Sequence, residues 1–367
     1  MSAVAMEYAD WLAAFLPDDY GDRYHHYRWD LDLRRDYQAA AYEAGWLQPT
    51  WPREHGGRSL DLADSMAIRL EAAERFAPKL PNIAGVNVVA PALRQFGSPE
   101  QIERLLIPLL RGEDWWALGM SEPAAGSDFA ALRTRADRDG DDFRITGHKI
   151  WTTQAHQSRW CTLYARTDRD APKHRGISCL LLDLQSPGIT IEPIRMASTS
   201  DETFCEVFLD DVRVPQSSLL GDLHDGWRVA MASLHHERQM IWVMNWVETR
   251  RALRAVRGAA PAAQEDLCHA VGVLLADAEA LRANGYRSLS NELAGRSSPE
   301  AQILKLLGSE TLQRAWDLVA DAAGSSSAID LDLLFERQDA LAATIYGGTS
   351  EIQRNIIGER LLGLPKG

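Results

Sequence analysis

Residues 142–153 read Asp-Phe-Arg-Ile-Thr-Gly-His-Lys-Ile-Trp-Thr-Thr and lie in the part of the chain that decides the fold class. The run from Asp142 to Ile150 has the residues of a β-strand, interrupted by the turn chemistry of Thr146-Gly147. Four similar runs follow: Trp160 to Thr167, Gly176 to Leu184, Gly188 to Arg195 and Thr203 to Val214. Because no helical segment separates them, they predict a small antiparallel barrel or sandwich. No G-x-G-x-x-G follows a strand, so a Rossmann unit has no support.

Helical periodicity marks the sequence on both sides of this β block. Before about Arg111, Asp61 is a candidate N-cap for one helix, and Ser98-Pro99-Glu100-Gln101 is a candidate start for another. After Gly226 the helical period returns in segments of about 20 to 30 residues, long enough for a bundle. The sequence therefore predicts a helical domain at 1–114, a β domain at 115–222 and a second helical domain at 223–367.

Composition excludes several classes of protein. Lys and Arg number 39 against 52 Asp and Glu, and the net charge of −13 opposes binding to nucleic acid or to an anionic membrane surface. No stretch approaches the roughly 20 apolar residues of a membrane span. The four cysteines are scattered and follow no leader sequence, so we expect reduced thiols, a cytoplasmic location and no metal site.

Two segments of the β block have residues suited to a ligand. Gly119 to Asp128 is rich in small residues and hydroxyls, so its backbone N–H groups can approach a ligand closely; a plain interdomain loop is the alternative. Trp151-Thr-Thr153 places a large aromatic ring and two hydroxyls at a strand end. These groups suit a planar ligand, stacked on its face and hydrogen-bonded at its edge. A core tryptophan is the alternative.

A third segment, Ile345-Tyr-Gly-Gly-Thr-Ser-Glu351, precedes a predicted helix in which Ser350 and Gln353 fit a capping box. Gly347 and Gly348 bring unhindered N–H groups to the positive end of that helix. Such groups suit an oxyanion or a polarised carbonyl. A tight turn between two helices accounts for the same residues equally well.

One carboxylate interrupts an apolar helical stripe after the β block. Positions 234, 237, 241 and 244 share a helix face and read Leu, Glu, Ile and Met. Burial would raise the pKa of Glu237 into the range useful to a general base. The alternative is a glutamate at the margin of the stripe, paired with Arg238.

Taken together, these motifs resemble the acyl-CoA dehydrogenase family over nearly the whole chain. The resemblance rests on four segments in the family's order: 45–57 (Gly-Trp-Leu-Gln-Pro-Thr-Trp-Pro-Arg-Glu-His-Gly-Gly), 120–128 (Met-Ser-Glu-Pro-Ala-Ala-Gly-Ser-Asp), 151–153 (Trp-Thr-Thr) and 346–354 (Tyr-Gly-Gly-Thr-Ser-Glu-Ile-Gln-Arg). It implies a fold of a helical domain, a β-barrel and a four-helix bundle. The implied activity is FAD-dependent conversion of an acyl-CoA to the trans-2-enoyl thioester.

The resemblance also implies roles for particular residues. Those expected at the FAD are Leu118, Met120, Ser121, Trp151, Thr152, Thr153, Thr349 and Glu351. Those expected at the acyl-CoA are Ser127, Arg238 and Gly348, with the Gly347 N–H as a donor to the thioester carbonyl.

The chain departs from the family pattern at the base. Many members carry a catalytic glutamate just after the signature tyrosine, where this chain has Gly347. A subset with Gly-Gly-Thr takes the base from the helix after the barrel, in a Glu-Arg pair. Glu237-Arg238 matches that alternative, so the resemblance assigns α-proton abstraction to Glu237.

A second departure concerns partners. The family often has Arg-x-x-Phe-Gly and Gln-x-x-Gly-Gly-x-Gly motifs that reach a neighbouring subunit's FAD, and residues 254–258 and 321–327 match them poorly. The resemblance implies a tetramer and an electron-transfer flavoprotein as acceptor. Because the two intersubunit motifs match poorly, the tetramer is either homomeric or built with a related chain. The alternatives are a non-catalytic subunit of a heteromer, and a flavin oxidase, monooxygenase or carrier-protein thioester dehydrogenase on the same fold.

Overall fold

The computed structural model describes residues 2–21, 23–197, 203–259, 265–296, 298, 301–323 and 331–365. The side chains at 25–26, 234–240, 257–259, 265, 302 and 331–334 lie outside the described part. Within it, six α-helices precede an eight-stranded sheet and five follow it.

The N-terminal helices form around apolar faces that the sequence caps locally. Their bounds are α1 Ala3–Phe15, α2 Tyr24–Tyr27, α3 Leu31–Glu43, α4 Leu62–Glu74, α5 Ala90–Phe96 and α6 Pro99–Arg111. The two predicted starts are confirmed: the Asp61 carboxylate accepts the Asp64 N–H at 2.8 Å, and Ser98 with Gln101 forms a capping box. A π-helical turn at Gly85–Val89 leads directly into α5.

The β block folds as one sheet. Its strands are β1 Trp116–Gly119, β2 Arg135–Asp139, β3 Asp142–Thr153, β4 Trp160–Arg166, β5 Ile177–Asp183, β6 Ile189–Pro193, β7 Phe204–Pro215 and β8 Leu219–Leu220. The order is β6-β7-β3-β2-β4-β5-β8, with β1 on β4. Most pairs are antiparallel, as expected, but β4 pairs in parallel with both β1 and β2.

The C-terminal part is helical, as predicted. Its long helices are α7 Gly226–Ala259, α8 Glu265–Leu293, α9 Ala301–Ala323 and α10 Leu331–Ala342, followed by the short α11 Ser350–Ile356. Of the stripe at 234, 237, 241 and 244, Ile241 is buried and Met244 is exposed, while the other two side chains lie outside the described part. The predicted apolar stripe of α7 is therefore directed to the protein interior at Ile241 but not at Met244.

The three parts are joined by shared cores. One apolar cluster runs from the N-terminal helices through the sheet into α7 and includes Tyr8, Leu109, Trp116, Tyr164 and Val229. Others fill the sheet and the C-terminal helices. Among the described helices none is long and apolar enough to cross a membrane, and the described His, Cys, Asp and Glu side chains form no group of three that could hold a metal ion.

Candidate active site

A buried ion pair fixes the loop that follows β1. The Lys149 ammonium of β3 lies 2.8 Å from the Glu122 carboxylate and donates to the Met120 carbonyl at 3.2 Å. Glu122 also accepts the backbone N–H groups of Arg133 and Thr134 at 2.6 and 2.8 Å. Burial acts to raise the pKa of Glu122, but the Lys149 charge and these hydrogen bonds outweigh it and lower the pKa. The loop is thus anchored to β3 by an ionised carboxylate, a contact that the sequence analysis missed.

Trp151 lies beside this loop and has a strained, left-handed backbone conformation. Its φ is +58°, and the register of β3 against β7 shifts between Lys149 and Thr152. Such a bulge re-aims a side chain, and the left-handed conformation costs about 1–3 kcal/mol in a non-glycine residue. The ring is 54% exposed and rests edge-on against Phe204 at 5.9 Å. The core alternative for Trp151 is therefore wrong, because more than half of the residue is exposed.

The bulge and the loop are linked directly, so their residues form one cluster. Ile150 donates its N–H to the Ser121 carbonyl at 3.0 Å. Leu118 and Met120 are partly buried at the end of β1. Thr152 is buried, and among the described residues its hydroxyl has no hydrogen-bond partner, while Thr153 is partly exposed.

Asn82 sets the position of β1 in this cluster. Its side chain accepts the Trp116 N–H at 2.9 Å and donates to the Trp116 carbonyl at 3.0 Å. Its amide also lies 3.3 Å from Gln154 Oε1, just past Trp151-Thr-Thr153. A single buried amide therefore ties the N-terminal helices to both strands. Nothing in the local sequence pattern signalled it, because its partners are distant in the chain.

The C-terminal turn packs between two helices. Gly347 and Gly348 have φ values of +64° and +98°, which favour glycine. A Cβ on Gly347 would lie 3.3 Å from Ile241 Cδ1 of α7 and 3.9 Å from Lys305 Cε of α9. Gln353 donates to the Gly347 carbonyl at 3.3 Å. The backbone of the turn at Gly347 therefore lies close to the Ile241 side chain of α7.

The cap of α11 differs from the prediction. Thr349, not Ser350, is the N-cap, and its hydroxyl accepts the Ile352 N–H at 3.3 Å. The capping box on Ser350 is wrong because Gln353 reaches back to the glycine turn instead. Glu351 is exposed, and the N–H of its own residue and then the Thr349 hydroxyl lower its pKa.

The predicted base and its neighbour lie on α7, but the side chains of Glu237 and Arg238 are outside the described part. Position 237 precedes Ile241 by four residues, one helical turn of about 6 Å. On the same face Ser233 and Ile241 are buried. The backbone of α7 therefore brings position 237 to within one turn of the Gly347 contact.

The other predicted substrate contact, Ser127, is exposed at a rim. Its neighbour Asp128 pairs with Lys173 at 3.0 Å. Phe129 stacks on Trp227 near the start of α7, with ring centroids 5.9 Å apart. The contact between Phe129 and Trp227 connects the end of the loop at 119–128 to α7, the helix that carries position 237.

These features fit a flavin. An exposed indole ring, a buried threonine hydroxyl without a protein partner in the described part, and a loop of small residues together offer a planar ligand a stacking surface and polar contacts. Glycine at 347 lets the turn come close to α7, since a Cβ there would lie 3.3 Å from Ile241 Cδ1.

Comparison with known proteins finds matches over nearly the whole chain. Three family models match in order: acyl-CoA dehydrogenase N-terminal domain at residues 5–113, middle domain at 117–212 and C-terminal domain at 224–362. The acyl-CoA dehydrogenase IpdE1 of Mycobacterium tuberculosis (strain ATCC 25618 / H37Rv) is 37% identical over 351 residues, or 92% of this chain and 89% of that protein.

Two solved structures extend the comparison. The Tcur3481-Tcur3483 steroid ACAD has a TM-score of 0.86 at 26% identity, over 99% of this chain and 97% of that one. The ChsE4-ChsE5 complex from Mycobacterium tuberculosis has a TM-score of 0.84 at 28% identity, over the same shares of the two chains.

Fold, site and comparisons together define an FAD-dependent oxidoreductase. The chain belongs to the acyl-CoA dehydrogenase family. The predicted fold, the FAD cofactor and the dehydrogenation of an acyl-CoA thioester are confirmed at this level. The assignment to the Gly-Gly-Thr subset and the roles of single residues stay predictions.

Proposed function

We propose that Glu237 removes the α-proton of an acyl-CoA thioester in this chain. The observation that carries the proposal is the contact between the Gly347 turn and α7, in which a Cβ at Gly347 would lie 3.3 Å from Ile241 Cδ1. Position 237 lies one turn before Ile241 on the same helix face. Gly347 has no side chain to take a proton, and general-base catalysis on carbon needs a base within about 3 Å of the proton's path.

The proposed cofactor site combines three segments. Leu118, Met120, Ser121, Trp151, Thr152 and Thr153 would hold the ring system, and Thr349 and Glu351 would hold the nucleotide. The linked loop and bulge, held by Lys149 and Glu122, support this arrangement. What FAD supplies, when bound, is an acceptor for the hydride that leaves the β-carbon.

The substrate residues act on the thioester. The Gly347 N–H donates to the thioester carbonyl, whose oxygen gains negative charge as the α-proton leaves. Gly348, Ser127 and Arg238 contact the acyl-CoA. The proton goes to the Glu237 carboxylate, the hydride leaves with its electron pair, and a trans double bond forms between the α- and β-carbons.

A related chain completes the assembly. Ile345 before the C-terminal turn and Leu362 and Leu364 after α11 are 64%, 64% and 56% exposed, and such exposed apolar side chains suit a protein partner. The poor match of 254–258 to the family's intersubunit motif and the two-chain names of the Tcur3481-Tcur3483 and ChsE4-ChsE5 relatives support a hetero-tetramer over a homo-tetramer. An electron-transfer flavoprotein is the proposed acceptor, and a steroid-derived acyl-CoA is a substrate to test first.

The test is anaerobic reduction of the flavin by single acyl-CoAs. The panel consists of butyryl-, octanoyl- and palmitoyl-CoA and a CoA thioester on a steroid side chain, with the chain alone and co-expressed with a related chain. We expect at least one thioester to bleach the flavin and air to restore it slowly. Fast reoxidation by air with peroxide release would favour the oxidase alternative. Protein that binds no FAD under either condition would overturn the proposal.

The Glu237→Gln variant tests the base. It removes basicity while keeping the shape of the side chain, so we expect flavin content to persist and the reduction rate to fall about 10²- to 10⁴-fold. Glu279→Gln is the matched control, because Glu279 on α8 is exposed and pairs with Arg282 of its own helix. Undiminished flavin reduction in Glu237→Gln would reject the assignment.

A further inference from the structure

Lys305 is a buried lysine beside the Gly347 turn. Its side chain lies on α9 in a residue that is only 3% exposed, and its Cε is 3.9 Å from the position of a Cβ on Gly347. Nζ is one bond of about 1.5 Å further on, so the ammonium lies within about 5.4 Å of that position. Ile241 reaches the same point from α7 at 3.3 Å. A positive charge and the helix that carries position 237 thus meet at one turn.

The charge of Lys305 already acts on this region. The pKa of Glu351 is lowered first by its own backbone N–H, then by the Thr349 hydroxyl, and further by Arg354 and Lys305. Glu351 is exposed, so water screens that interaction. The space at Gly347 lies between buried residues, and charge acts there more strongly than at the surface. A charge that develops at the turn is therefore screened less from Lys305 than a charge at the surface is.

We propose that Lys305 supports the dehydrogenation by placing a positive charge beside the Gly347 turn. This charge stabilises the enolate-like negative charge that develops on the thioester carbonyl. The proposal rests on the proposed function, because it needs that carbonyl at Gly347. Lys305 gives up and takes no proton: the α-proton goes to Glu237 and the β-hydride leaves with its electrons. The same field favours the ionised form of a base on the adjoining turn of α7.

Acetoacetyl-CoA is the probe, because its α-carbon is acidic enough to bind as an enolate without turnover. Spectral titration of the FAD-loaded protein over a range of pH measures enolate binding and the pH midpoint at which it forms. For Lys305→Met we expect enolate binding at least about 10-fold weaker and a midpoint at higher pH, because the positive field is gone. Lys305→Arg keeps the charge and should restore both. Lys79→Met is the matched control, since Lys79 is exposed.

FAD content and the thermal midpoint are recorded for each variant, since loss of packing alone would lower these without moving the pH midpoint. An unchanged enolate affinity and pH midpoint in folded Lys305→Met overturns the proposal. If Lys305→Met does not fold with FAD, Lys305→Gln replaces it, and failure of both assigns the lysine a structural role and overturns the proposal as well. Wild-type protein that forms no enolate complex, or Glu237→Gln that keeps the full rate, contradicts the proposed function instead.

Discussion

Lys149 and Glu122 form a buried ion pair, 2.8 Å between Nζ and Oε1, beneath the loop that follows β1. A buried pair is costly to assemble, so it adds little net stability over apolar residues, but breaking it leaves one charge without its partner. Because Lys149 also holds the Met120 carbonyl, the pair sets the position of the loop backbone. The pair therefore links folding of the sheet to the position of the loop that we propose holds FAD.

Loss of Lys149 should destabilise the protein and release FAD together. Lys149→Met leaves the Glu122 carboxylate buried without its cation, at a cost of about 3–5 kcal/mol. Urea unfolding followed by circular dichroism measures the free energy, and the ratio of visible to ultraviolet absorbance measures bound flavin. Lys173→Met is the control, because its pair with Asp128 is exposed and is worth about 0–1 kcal/mol. Equal effects of the two substitutions would contradict this role for the buried pair.

The contribution of this ion pair to the free energy of unfolding should depend on pH. The pKa of Glu122 is lowered in the folded protein, so its contribution is present above the unfolded pKa of about 4.3 and is lost as pH falls through the folded value. In Lys149→Met the carboxylate loses the cation that keeps it ionised, burial then raises its pKa, and taking up a proton relieves the destabilisation. We expect the difference in unfolding free energy between wild type and variant to be largest near neutral pH, to begin to shrink above the unfolded pKa of about 4.3 as the variant takes up its proton, and to shrink further as pH falls through the wild-type folded value. A difference that is independent of pH would assign the loss to packing.

Substitutions at Trp151 should separate flavin stacking from backbone strain. Trp151→Ala removes the ring and leaves the left-handed backbone, whereas Trp151→Gly removes both the ring and the strain. Both variants should retain less FAD than wild type. Without FAD, the glycine variant should be more stable than the alanine variant by about 1 kcal/mol. Flavin retention after gel filtration and thermal unfolding of the FAD-free proteins are the measurements, and full retention in both would remove Trp151 from the cofactor site.

Gly347 should be coupled to Ile241. Gly347→Ala introduces a Cβ 3.3 Å from Ile241 Cδ1 at a φ of +64°, so both crowding and backbone strain destabilise it. Ile241→Val removes Cδ1 and should recover part of the loss, with a coupling of about 0.5–1 kcal/mol in a double-mutant cycle. Gly140→Ala is the control for the backbone alone, because Gly140 has a φ of +63° and a Cβ there would meet no other described residue within 4 Å. Additive effects of the Gly347 and Ile241 changes would show that the turn does not pack on α7.

Thiol titration should find one reactive cysteine. Cys268 is exposed, whereas Cys161, Cys179 and Cys205 are buried, and burial raises the pKa of Cys161 to about 12. Because the thiolate is the nucleophile, we expect Ellman's reagent to modify Cys268 alone in the native protein at neutral pH. Cys268→Ser should react only after unfolding in guanidinium chloride. Fast modification of a second thiol would mean that the sheet opens under native conditions.

Local signals were enough for the order of the elements. Asp61 and Ser98 predicted the starts of α4 and α6 because a cap bonds to N–H groups within its own first turn. The parallel pairing of β1 with β4 was not predicted, since Trp116 meets Trp160 only after the chain has passed through two other strands. The N-cap at Thr349 in place of Ser350 depended on Gln353 turning back to the glycine pair, a choice between two nearby hydroxyls that tertiary packing makes.

By itself the sequence determined the class of fold, because helical and strand patterns depend on residue types at short spacing. FAD and the chemistry followed from the resemblance of ordered motifs, among them Trp151-Thr-Thr153, the loop at 120–128 and Gly347-Gly348-Thr349, to a known family. Only the tertiary structure decided what surrounds them. Lys149 under the loop, Asn82 behind β1 and Lys305 beside the turn are polar residues that look ordinary in sequence, and burial gives each one its partners. The interactions of a buried polar group depend on atoms that are distant in the chain and on the low dielectric constant around it. Neither can be predicted from the residues next to it in the sequence.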